Sequence, residues 1–346
     1  MPIDILETMA RQGFEELIAI HDRASGLRGF LGIHDTSAGP AFGGIRRWSY
    51  RDDSEALRDC LRLSRAMTRK LACADLAAGG GKVVLLNRRE LDLEGAYHFV
   101  GRLVERLGGR FRVGPDVGTG DREMAWVGEE SAYAAAPGPE GPGQLAECTA
   151  RGVFDSMATV LRHLDGEVDW PARTVVIQGL GDVGSRLAIL LKAAGVQVKA
   201  TEINGERAEE MAERGIELLA PGQDIDANCD IFAPCAMGGI LHDLTVSRLG
   251  CRAVVGSANN ILARSKHGRT LAERGILFAP DMLTTAGAVI RGALFMLEDR
   301  REEPEAIGER IAANLRQVLD LSAAEGVPPE EVAILLADQR LAERRA

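Results

Sequence analysis

No stretch of this sequence could span a bilayer, because that takes a run of about 18 apolar residues and none occurs. The first residues, Met1 to Glu7, lack the basic and apolar segments of a signal peptide, so a cytoplasmic location is expected. There is no C-x-x-C pair and no H-E-x-x-H or H-x-H pattern, and Cys229 and Cys235 stand at a spacing that fits no zinc site. No metal is therefore expected. The six cysteines (Cys60, Cys73, Cys148, Cys229, Cys235 and Cys251) read as small buried side chains in a reducing compartment. Positive charge is in deficit, since 41 basic residues against 51 acidic ones give a net charge of -10. Such a surface repels phosphate backbones and anionic lipid, which argues against nucleic-acid and membrane partners. Internal repeats and low-complexity tracts are lacking as well.

What is present is an ordinary globular composition, 46% apolar over 346 residues, which at this length predicts two domains. Apolar stretches at Leu17-Ile18-Ala19-Ile20 and Phe30-Leu31-Gly32-Ile33 flank Arg23 to Gly26 and predict a hairpin. A helix follows from an N-cap at Ser54, then a short strand over Val83 to Leu86 opened by Lys82. A helix over Glu94 to Leu107, a strand over Phe111 to Val113 and a helix after Asp121 complete the first half. The run Ala134 to Gly143, rich in proline and glycine, can continue neither helix nor strand and predicts a hinge or linker. Beyond a helix over Thr149 to Leu164, apolar strands at 174–178, 197–202, 230–233, 253–256 and 276–279 alternate with helices. That alternation predicts an α/β fold with a doubly wound parallel sheet.

Gly179-Leu180-Gly181-Asp182-Val183-Gly184 fits G-x-G-x-x-G, directly after one of these strands and at the start of a helix. Gly179 permits the tight turn, Gly181 lets backbone approach a pyrophosphate, and Gly184 lets helix and strand pack closely. The unpaired N–H groups of the helix N-terminus and the positive end of its dipole suit phosphate, which makes Asp182, Val183, Gly184 and Ser185 candidate cofactor residues. Glu202 closes the next strand, about 20 residues on, where an acid holds ribose hydroxyls and repels a 2′-phosphate. NAD is therefore the expected cofactor.

The first half holds Lys70, the glycine loop Gly79-Gly80-Gly81 delivering Lys82, and Asp116 within Gly114-Pro115-Asp116-Val117-Gly118-Thr119. These segments resemble the glutamate/leucine/phenylalanine/valine dehydrogenase family, on its leucine/phenylalanine branch. So do Gly39-Pro40-Ala41-Phe42-Gly43-Gly44-Ile45-Arg46, Met67 to Lys70, Gln178 to Gly184, Phe232 to Gly239, Gly256 to Asn260 and Ala279-Pro280-Asp281, all in order along the chain. The resemblance implies a substrate-binding and oligomerisation domain over 1–134, joined by a C-terminal helix from about 325 to 346. An NAD-binding Rossmann domain would occupy 135–324, and the chain would form a homo-oligomer.

The resemblance also implies roles. Lys70 would bind the substrate carboxylate, and Lys82 would be the general base, its amine made partly neutral by burial and by nearby Lys70. Asp116 would hold the amino nitrogen and relay its proton. Phe42, Gly43, Gly44, Gly114 and Thr285 would line the substrate. Thr149, opening its helix, and Ala236, Met237, Ala258 and Asn259, after strands of the second sheet, would touch the cofactor. Glutamate-specific relatives carry a lysine where Phe42 stands, so an acidic side chain would be left unpaired at a cost of several kcal/mol. Two departures are Thr285, where the family has an asparagine, and Arg69 before Lys70. The expected function is NAD-dependent oxidative deamination of a hydrophobic L-amino acid to its 2-oxo acid and ammonia, with leucine, valine or isoleucine favoured. A phenylalanine or tryptophan dehydrogenase is one alternative, and a non-catalytic dinucleotide-binding sensor is another.

Overall fold

The computed structural model describes residues 4–345. Two compact units divide the chain: Met1–Gly143 with Gly292–Arg301 and Ala337–Ala346, and Gln144–Arg291 with Glu302–Leu336. The first unit thus gathers two later segments, whereas the sequence division expects one, from about 325. The crossover falls at Gly143 and Gln144, past the start of the proline-glycine run. Before it, Ala135 donates its N–H to Val113 at 2.8 Å, so the first part of that run is anchored to its own unit.

In the first unit α1 (Ile5–Gln12) leads to β1 (Glu16–Asp22), β2 (Leu27–Asp35) and β3 (Ala41–Trp48). Then come α2 (Asp53–Cys73), β4 (Gly79–Leu86), α3 (Leu93–Arg106), β5 (Phe111–Pro115) and α4 (Asp121–Glu130). The sheet order is β1-β2-β4-β3-β5, antiparallel across β1, β2 and β4 and parallel across β4, β3 and β5. The hairpin expected from the sequence is β1–β2. The helix N-cap, however, is Asp52, whose carboxylate accepts the Glu55 N–H at 2.8 Å, and not Ser54.

Strand β3 is the element that the sequence pattern conceals. Gly43 and Gly44 interrupt its apolar run, and they do so because the strand is central: a Cβ on Gly43 would lie 1.9 Å from the Gly81 oxygen of β4. For the same reason Gly79, Gly80 and Gly81 are not a flexible loop, and Lys82 lies within β4 instead of opening it. Their missing side chains would collide with the Asp35 oxygen at 1.6 Å, the Thr68 nitrogen at 2.1 Å and the Phe111 ring at 2.7 Å. Glycine here serves close packing and not mobility.

In the second unit α5 (Leu145–Asp165) precedes β6 (Thr174–Gln178), α6 (Asp182–Ala193), β7 (Gln197–Thr201), α7 (Gly205–Glu213) and β8 (Glu217–Leu218). There follow β9 (Cys229–Pro234), α8 (Asp243–Val246), β10 (Cys251–Val254), α9 (Lys266–Glu273), β11 (Leu277–Phe278) and α10 (Asp281–Thr284). Then come α11 (Gly287–Glu298), α12 (Pro304–Glu325) and α13 (Pro329–Arg345), the first and last of which begin in the second unit and finish in the first. The sheet is parallel throughout, in the order β11-β10-β9-β6-β7-β8. Apolar strands covered by helices make its core, with Val175, Val176, Ile177, Ile231 and Phe232 essentially inaccessible. Among the described residues no helix is long and apolar enough to cross a membrane.

Candidate functional site

In the first unit the parallel strands β3, β4 and β5 bring three side chains together. Lys82 Nζ lies 2.8 Å from Asp116 Oδ2, and Arg46 Nε donates to the same oxygen at 2.9 Å. Asp116 follows β5 in a turn closed by the Thr119 N–H on the Asp116 carbonyl at 2.9 Å, with Gly118 at φ +79°. The turn is pinned to β3, because Arg47 donates its backbone N–H to the Val117 oxygen at 2.9 Å and its side chain to the Gly118 oxygen at 3.0 Å. Gly44 lies beneath the pair: a Cβ there would approach Asp116 Cβ to 2.9 Å and Lys82 Nζ to 3.2 Å. A side chain at 44 would therefore push the pair apart.

The Lys82 side chain is only 6% exposed. Burial pushes its amine below the usual lysine range, against the opposing pull of Asp116, and the neighbouring cation that adds to this effect is Arg46. Lys70, the neighbour expected from the sequence, is also buried, on the last turn of α2. Burial alone would raise the Asp116 carboxyl, but the charges of Lys82 and Arg46, with hydrogen bonds from Lys82 and the Val117 N–H, hold it at about 2. Phe42 is buried too. Its ring tip stands 3.9 Å from where a Gly114 Cβ would be and 3.1 Å from where a Gly292 Cβ would be. The space left by these glycines is thus partly filled by the ring.

The expected cofactor residues gather at the carboxyl edge of the second sheet. Gly179, at φ +90°, turns directly after β6, and the approach of Gly184 to the Gly179 oxygen, 2.0 Å from an ideal Cβ, would exclude any side chain. Gly181 is open, its nearest neighbour being Arg207 at 3.9 Å from an ideal Cβ. Glu202 accepts N–H groups from Leu180 at 2.7 Å and from Ile203 and Asn204 at 2.8 Å each. Burial works against its charge, but these three backbone donors, with the charge of Arg207, outweigh it and hold the carboxyl below its ordinary range. Ser185 donates both its hydroxyl, at 2.8 Å, and its backbone N–H, at 2.9 Å, to the Gly181 oxygen, so neither donor is open to a phosphate, contrary to the expectation from the sequence.

A series of contacts carries this edge across the sheet. A Cβ on Gly179 would touch that of Ala236 at 2.7 Å, and one on Gly238 would meet the Asn259 oxygen at 2.4 Å. The Thr285 hydroxyl donates to the Asp281 oxygen at 2.6 Å and lies 3.1 Å from the Asn259 side-chain amide, and Ala288 donates its N–H to the Thr149 hydroxyl at 3.1 Å. The hydroxyl of Thr285 therefore braces Asn259 where the family pattern has an amide. Thr149 lies in the second turn of α5, which starts four residues earlier than the sequence suggests. Met237 and Ile203 are 72% and 90% exposed beside these loops, apolar surface on the rim of the edge. Ala258 is buried beneath it.

Sequence reading gave no role to Arg46, Asp59, Tyr50, Ile203, Arg207 or Gly292. For Arg46 a signal existed, since Phe42, Gly44 and Arg46 alternate along β3. That alternation has meaning only in a strand, and Gly43 and Gly44 break the apolar pattern that would mark one.

The turn after β6, the acid after β7 and the switch point between β6 and β9 are those of a dinucleotide-binding sheet, and with the buried lysine–aspartate pair they define a dinucleotide-dependent dehydrogenase. The chain belongs to the Glu/Leu/Phe/Val dehydrogenase family. The family's dimerisation-domain model matches residues 15–133 and its Glutamate/Leucine/Phenylalanine/Valine dehydrogenase model matches residues 199–343. The leucine dehydrogenase of Thermoactinomyces intermedius is 37% identical, over 97% of this chain and 93% of its own length. The phenylalanine dehydrogenase of the same organism is 39% identical over 84% and 81%. Among solved structures, the L-tryptophan dehydrogenase of Nostoc punctiforme is similar at a TM-score of 0.87 and 32% identity, covering 99% of both chains. The glycine turn itself lies between the two family matches, so its role rests on its geometry.

Proposed function

We propose that the chain oxidatively deaminates a hydrophobic L-amino acid with NAD, releasing the 2-oxo acid and ammonia. The observation that carries the reading is the buried Lys82–Asp116 contact at 2.8 Å, in the unit that also presents Lys70 and Phe42. Lys70 binds the substrate carboxylate as a charge-assisted partner. Asp116, an anion held at about 2, anchors the amino nitrogen and is a weak base in its own right. Lys82, its charge disfavoured by burial, takes the proton from the water that attacks the substrate iminium. Bound NAD would supply the hydride acceptor. The open Gly181, the left-handed Gly179 and the ionised Glu202 fit that group.

Phe42 supports a neutral substrate, because a buried phenyl ring offers an acidic side chain no partner. That ring takes up the room at Gly114 and Gly292, which supports leucine, valine or isoleucine. The second reading is an aromatic substrate, favoured by the kinship with the phenylalanine and tryptophan enzymes named above. Assay of the twenty L-amino acids with NAD, followed by absorbance of the reduced cofactor, separates the two. Turnover of none of them would leave only a non-catalytic sensor.

Glu202 supports NAD over NADP by at least about tenfold, roughly 1.4 kcal/mol, through repulsion of a 2′-phosphate. The dimerisation-domain match supports assembly with further copies of the chain. Cys60, Cys73, Cys148 and Cys251, buried as thiols, suit a cytoplasmic enzyme.

A further inference from the structure

We propose that Arg46 is a positioning residue of this centre: its guanidinium bridges Asp59 to Asp116 and so holds the carboxylate oxygen that Lys82 also binds. The proposal rests on the deamination reading above and adds to it a residue that touches no reacting atom.

Four contacts build the bridge. Arg46 Nε donates to Asp116 Oδ2 at 2.9 Å, and its Nη1 donates to Asp59 Oδ2 at 3.3 Å. Asp59, on the second turn of α2, is itself held by the Tyr50 hydroxyl at 2.6 Å and by Arg62 at 2.6 Å. Both aspartates stay ionised. Burial raises each of them, but the hydrogen bonds and cations just named bring both below the usual carboxylate range. Arg46 is therefore held at both ends by anions that are themselves fixed, one from α2 and one from the turn after β5.

The consequence falls on Lys82. A carboxylate at 2.8 Å, acting alone on a buried amine, favours the ammonium and would hold the base protonated. Arg46 counters this twice, by sharing the same carboxylate oxygen and by setting a second positive charge beside the amine. The charged groups acting on Lys82 are Asp116 from the β5 turn, Arg46 from β3 and Asp59 from α2. Cys60, also on α2, is a buried thiol pushed up to about 12 and stays neutral. Of the charges that act on the amine, Asp116 and Asp59 favour the ammonium and Arg46 opposes it, together with burial.

The test is the pH profile of kcat for oxidative deamination by the full chain, with its best amino acid and NAD both saturating. In Arg46→Gln the acidic limb is expected to move to higher pH by about one unit or more, so that kcat on the limb drops about tenfold per unit moved. Arg46→Lys keeps the charge but cannot bridge two carboxylates, so kcat is expected to fall with the limb in place. Asp59→Asn frees the guanidinium without removing it, and should lower kcat without any upward shift. A limb that stays put in Arg46→Gln while kcat drops uniformly overturns the proposal, as does a limb that moves equally in the Gln and Lys variants. If the Gln variant does not accumulate folded, an upward shift in either of the other two overturns it. Failure of the wild-type chain to oxidise any amino acid would defeat the deamination reading, and that result is separate from every variant outcome.

Discussion

Lys82 and Asp116 share one contact but respond to it unequally, and the difference sets what each can do. Burial acts against charge on both; the aspartate has two cations to outweigh it and the lysine has one nearby cation adding to it. Lys82→Ala should therefore cost about 10²–10⁴-fold in kcat, the range for a lost general base, while calorimetry shows NAD binding unchanged. Near-normal kcat in that variant would mean the amine takes no part. Lys70→Ala should chiefly raise KM, since it removes a contact made in ground and transition states alike. Asp116 also carries a prediction for stability. Its folded value is depressed to about 2, so its contribution is complete above the unfolded value near 4 and is lost as pH falls through that interval. Urea midpoints of wild type and Asp116→Asn should accordingly converge on acidification across that window; a constant gap would show that the ion pair contributes nothing through ionisation. At the other site, Glu202→Ser should narrow the preference for NAD, measured as the ratio of kcat/KM with the two cofactors.

At the scale of elements, β3 and β4 show how much a strand can hide when its neighbours come too close for side chains. A Cβ on Gly81 would meet the Phe111 ring at 2.7 Å and the Gly32 oxygen at 2.9 Å, so Gly81→Ala should destabilise by about 1–3 kcal/mol through overpacking. Gly128 is the contrast, since it lies in α4 with nothing within 4 Å of an added Cβ. Gly128→Ala should stabilise by roughly 0.5–1 kcal/mol, the helix-propensity gain. Thermal or urea melts of the two variants decide both, and a loss of stability at Gly128 as well would show that its open surroundings and helical backbone do not govern that position. The helices were more legible than β3, because amphipathic spacing and acidic N-caps are written in consecutive residues. For α2 the spacing was read correctly and only the cap was misplaced, by two residues, since Asp52 and Ser54 are both good capping types.

At the scale of the whole molecule, the family's dimerisation-domain match over 15–133 leads to the expectation that light scattering gives a mass of more than one chain. A single-chain mass at assay concentration would count against assembly as part of function. What the sequence alone determined is whatever depends on short-range order: the βα alternation of the second unit, the glycine turn Gly179 to Gly184, the acid Glu202, and the identities of Lys70, Lys82 and Asp116. Each is set by a handful of neighbouring residues whose spacing reports directly on backbone geometry or charge. Tertiary structure alone decided that Arg46 stands between Asp116 and Asp59, that Thr285 braces Asn259, and that the Phe42 ring partly fills the room left by Gly114 and Gly292. Those facts depend on strand order and on side chains meeting from distant segments, and the energies involved, burial and charge at contact distance, exist only after the chain has folded.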